Sequence, residues 1–73
     1  MDLKEAETTQ KQYEALTGKL YLRAKDLLLV MVKNIVIRQD AGQYEVFFTL
    51  RDAAANLFEE KAATFFEVYR KLS

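Results

Sequence analysis

Two long stretches of the chain repeat apolar side chains at helical spacing. Toward the C-terminus, Leu50, Ala54, Leu57, Phe58, Ala62, Phe65, Phe66, Val68, Tyr69 and Leu72 fall within about half of a helix circumference at about 100° per residue. Asp52, Asn56, Glu59, Glu60, Glu67, Arg70 and Lys71 occupy the other half. Thr49 followed by Asp52 resembles a capping box, and Arg70 with Lys71 suits the negative end of a helix dipole. This spacing predicts a long C-terminal amphipathic helix. Toward the N-terminus, Ala6, Thr9, Tyr13, Leu16, Leu20, Ala24, Leu27 and Met31 form a second stripe in steps of three and four. Gly18 interrupts it as a tolerated weak point, costing about 1 kcal/mol relative to alanine. From Leu20 onward Leu22 and Leu29 lie opposite Leu20 and Leu27, with Tyr21, Leu28 and Val32 between them. A helix apolar on every side must be buried on every side, which predicts that another copy or a partner covers it.

Between these stretches the period changes. Ile35-Val36-Ile37 and Tyr44-Glu45-Val46-Phe47-Phe48 are rich in β-branched and aromatic residues and flank Asp40-Ala41-Gly42-Gln43, a tight-turn composition. Pairing Arg38 with Glu45 sets Ile37 against Val46 and Ile35 against Phe48 on one face. On the other face, Val36 opposes Phe47 and Asn34 opposes Thr49. The expected architecture is therefore α+β: a long N-terminal helix, a two-stranded antiparallel hairpin and a long C-terminal helix. The alternative is an all-α helical hairpin, in which Tyr44, Phe47 and Phe48 join the second helix with Asp40 and Gln43 as its capping box.

At 73 residues the chain is one small domain, and such a domain buries only about 60% of the surface its unfolded chain exposes. It contains no cysteine and no histidine, so disulfides and ordinary zinc sites are excluded as staples. Self-association or a partner is left to supply the missing burial. The longest apolar run is Leu27 to Val32, six residues where a membrane span needs about twenty. No membrane segment or leader is read from the sequence, and the cytoplasm is the default compartment.

Formal charge sums to zero but is uneven. Residues 1–18 carry two bases and four acids, whereas residues 19–38 carry five bases and one acid, Asp26. Lys19, Arg23, Lys25, Lys33 and Arg38 make a phosphate-binding footprint conceivable, the basis of an alternative reading as a small nucleic-acid-binding regulator.

The inventory of reactive groups points away from catalysis. Imidazole and thiol are absent, the only serine is Ser73, and there is no glycine-rich phosphate loop. Glu59 and Glu60 are adjacent, which on a helix sets them about 100° apart as solvated surface. No catalytic residue, metal ligand or cofactor is assigned. The expected function is a non-catalytic protein-interaction or regulatory module, acting as a homo-oligomer or on a partner protein. Its expected contact residues are Tyr21, Leu22, Leu29 and Val32, with Phe47 and Phe66 at the margins of their apolar faces.

Overall fold

A computed structural model describes residues 1–72. Helix α1 (Leu3–Tyr13) leads through a 3-10 turn (Glu14–Leu16) into a four-stranded meander, followed by a second helix and a last strand. The strands are β1 (Leu20–Arg23), β2 (Leu29–Asp40), β3 (Gln43–Asp52), β4 (Leu57–Lys61) and β5 (Tyr69–Lys71), with α2 (Ala62–Val68) between the last two. They form one five-stranded sheet in the order β4-β3-β2-β1-β5, and every adjacent pair is antiparallel.

The long-helix, single-hairpin layout expected from the sequence is thereby overturned, as is its all-α alternative and the description of the chain as helical. Each predicted long helix is broken into a short helix and strands. Helix α1 starts on a capping box, with Glu5 N–H donating to the Asp2 carboxylate at 2.8 Å and Asp2 N–H donating back to Glu5 Oε1 at 3.3 Å. It ends before Gly18, whose φ of +84° lies in the left-handed region that glycine enters without steric cost. Gly18 is thus where the chain turns into the sheet. Leu20–Arg23 and Leu29–Asp40 then alternate with period two, which made one continuous segment look apolar all round when wound on a helix. The C-terminal stretch is divided by the turn after Asp52. Here the Asp52 carboxylate accepts from Ala54 N–H and Asn56 N–H, both at 2.9 Å, and Ala55 takes φ +68°.

The β2–β3 hairpin carries the pairings Arg38↔Glu45, Ile37↔Val46, Val36↔Phe47, Ile35↔Phe48 and Asn34↔Thr49. Its two central residues, Ala41 and Gly42, have φ of +51° and +78°, as a type I′ turn requires. Beyond Asn34 the register shifts, and Val32 pairs with Leu50. Lys33 is the extra residue of this bulge, and it resets the alternation so that Val30 and Val32 share a face with Ile35 and Ile37.

That face carries the core. Tyr21, Val30, Val32, Ile35, Val46, Phe48, Leu50 and Tyr69 pack under Ala6 of α1 and Phe65 of α2. Phe65 is the hub, with its ring centroid 4.6 Å from Phe48, 4.7 Å from Tyr21 and 4.9 Å from Tyr69. No helix among the described residues is long and apolar enough to cross a membrane.

Candidate functional site

Because strand side chains alternate, every strand that feeds the core also presents a second set of residues to the opposite face, which neither helix covers. On that outer face Leu22 pairs with Leu29 across β1 and β2, and Leu20 pairs with Met31. The second row continues to Arg51 on β3 and Leu57 on β4. On the other side Arg70 of β5 lies beside Leu22, and Leu72 N–H donates to Leu20 C=O at 2.9 Å. Leu57 and Leu72 are 58% and 50% exposed, and Leu29 is also exposed. A shallow depression of about 240 Å³ lies here, with Leu20, Leu29, Met31, Arg51, Asp52 and Ala53 in its lining.

The turns at this end of the sheet are held firmly. Between β1 and β2, Asp26 receives a bidentate bond from Arg23, at 3.0 and 2.7 Å, and Leu28 N–H donates to it at 3.2 Å. The Arg23 guanidinium holds the Asp26 carboxyl down to about 2. Leu27 sits in this turn at φ +60° with 69% of its surface exposed. For a branched side chain that conformation costs about 1 to 2 kcal/mol, and here no buried contact repays it. In the neighbouring β3–β4 turn, the hydrogen bonds from Asn56 and Ala54 depress the Asp52 pKa.

The far half of the outer face is different. Arg38 is bonded through both nitrogens to Glu59, with Nε to Oε1 at 2.8 Å, and Lys61 meets Glu45 at 3.5 Å. These four side chains neutralise one another in pairs. In the apolar half, Arg51 and Arg70 have no carboxylate partner among the described residues.

The residues expected to make contacts divide between the two faces. Tyr21 and Val32 are buried in the core, so neither is available to a partner. Leu22 and Leu29 lie together in the outer patch, and Phe47 is on the same face farther along, beside Val36 and Lys61. Phe66 is half exposed on α2 and packs against Tyr13 and Phe48 at 5.3 and 5.6 Å, on the helix side of the sheet. Leu20, Met31, Leu57, Arg51 and Arg70 are not among the contact residues expected from the sequence, although alternation in Leu20-Tyr21-Leu22 and Leu29-Val30-Met31 carries the signal of Leu20 and Met31.

The five basic residues of the nucleic-acid reading do not form one cluster. Lys25 lies in the β1–β2 turn and Arg38 near the opposite end of β2, while Lys33 is the bulge residue and Lys19 precedes β1. Arg23 and Arg38 are each engaged by a carboxylate. Among the described residues, no group of three or more His, Cys, Asp or Glu side chains is arranged to hold a metal ion. No family model, curated protein or solved structure matches the chain.

Proposed function

We propose that this chain is a non-catalytic protein-interaction module that works through the apolar end of its uncovered sheet face. The observation that carries the reading is the set of aliphatic side chains, Leu20, Leu22, Leu29, Met31 and Leu57, on the face that neither helix covers. A contiguous apolar surface on a small domain is expensive to leave in water and marks a contact site. The nucleic-acid alternative draws less support, because its cations are dispersed and two of them are paired. The cytoplasm remains the proposed compartment, on composition alone.

The experiment compares the wild type with a Leu22→Glu/Leu29→Glu variant. The wild type should bind an apolar fluorescent dye while folded, or run above monomer mass in light scattering if copies already cover the face. The variant should stay folded, its unfolding midpoint lowered only by the two glutamates that then face each other across β1 and β2, and lose whichever signal the wild type gives. Unfolding of the variant, or retention of the signal, would falsify the reading.

A further inference from the structure

We infer that the occupant of this face is an amphipathic helix of another protein, with carboxylates flanking its apolar stripe. The inference rests on the protein-interaction reading above and adds the shape and charge of the partner. Arg51 and Arg70 border the leucines without a carboxylate partner among the described residues, while Asp52, the acid in the lining of the depression, is taken up by the Ala54 and Asn56 N–H groups of its own turn. Of the acids on the same face, Glu45 and Glu59 are engaged by Lys61 and Arg38, and Asp40 lies at the far end of β2 beside the hairpin turn. A second copy meeting this patch face to face would bring arginine toward arginine over the leucines, whereas carboxylates on a different chain would complement both.

Spacing argues for a helix. Arg70 lies on β5 and Arg51 on β3, with β1 and β2 between them. Measured across the strands, three spacings of about 4.8 Å set the two about 14 Å apart, in successive rows of the outer face. A helix with its side chains is about 10 to 12 Å wide, so one lying along β1 and β2 fits between the arginines. Its stripe would rest on Leu20, Leu22, Leu29 and Met31, with acidic residues on both flanks reaching the guanidinium groups. Side chains at i, i+3, i+4 and i+7 supply such a stripe.

The test uses two synthetic helical peptides that share a leucine stripe, one flanked by glutamates and the other by lysines at the same positions. They are titrated against the full chain while methyl and amide NMR signals are followed. The glutamate peptide should bind, shift Leu20, Leu22, Leu29 and Met31, and lose affinity as salt is raised. Arg51→Glu with Arg70→Glu, both at exposed positions, should weaken it by about tenfold and let the lysine peptide bind instead. Equal binding of both peptides, or shifts confined to the helix side of the sheet, would overturn the inference. So would tighter binding to phosphatidylserine vesicles or duplex DNA than to the glutamate peptide. A dimer in light scattering that Leu29→Glu dissociates would overturn the helix partner while leaving the interaction face standing. If neither peptide binds and the folded chain also fails to bind apolar dye, the interaction reading falls as well.

Discussion

The two faces of the sheet are made by the same strands from similar residues, yet one is a core and the other an open surface. Phe48 and Phe47 are neighbours on β3; the first is fully buried beneath Phe65, while the second lies on the outer face between Val36 and Lys61. Tyr21 and Leu22 divide in the same way on β1, as do Val30 and Leu29 on β2. Residue type does not separate the members of these pairs. The available helices do: α1 and α2, at 11 and 7 residues, are enough to roof one face only. In a domain of this size a second apolar face has no cover from its own chain, which is why we place function there.

The largest test of this contrast is Phe48→Ala against Phe47→Ala. Removing the buried ring should cost about 3 to 5 kcal/mol, enough to leave much of a marginal domain unfolded in a urea titration. Loss of Phe47 removes only cross-strand contacts and should cost about 1 kcal/mol or less. Equal effects would mean that both faces are cores. Acid should act next, and it acts on the turns and outer face, since no charged side chain among the described residues is buried. Asp26 is held down to about 2, and Asp52 and Glu59 are also lowered, the last by Arg38. A depressed carboxylate contributes stability above its unfolded pKa and loses it as pH falls through the folded one. The unfolding midpoint should therefore decline between about pH 4.5 and pH 2, the normal carboxylate range and the Asp26 value. Arg23→Gln should remove the part of that decline that belongs to Asp26.

Smaller effects refine the open face. Leu27→Asn places a residue tolerant of positive φ in the β1–β2 turn and should raise stability by up to about 1 kcal/mol. A destabilised variant would mean that Leu27 packs in the folded domain. Leu57→Glu, on the edge strand, should change stability by less than about 0.5 kcal/mol, measured by thermal unfolding. It should nevertheless reduce dye or partner binding, so stability and binding separate at that position.

The β2–β3 register was legible because one apolar face and a two-residue turn specify it, down to the pairing of Arg38 with Glu45. It stops being legible at Lys33, where an inserted residue leaves no pattern that a regular strand would show. Of the contact residues, Leu22 and Leu29 were reached through a helix that does not exist, and the apolar excess behind that reading belongs to two faces of a sheet. Local sequence determined the absence of thiol and imidazole, the β2–β3 turn and the small size that leaves burial incomplete. Tertiary structure alone decided that Leu57–Lys61 and Tyr69–Lys71 are strands, because pairing with β3 and β1 satisfies their backbone and outweighs a helical period that ten apolar residues also fit. It also decided which face stays open, since that depends on which side of the sheet α1 and α2 cross, and a pattern that alternates equally well on both sides holds no record of the choice.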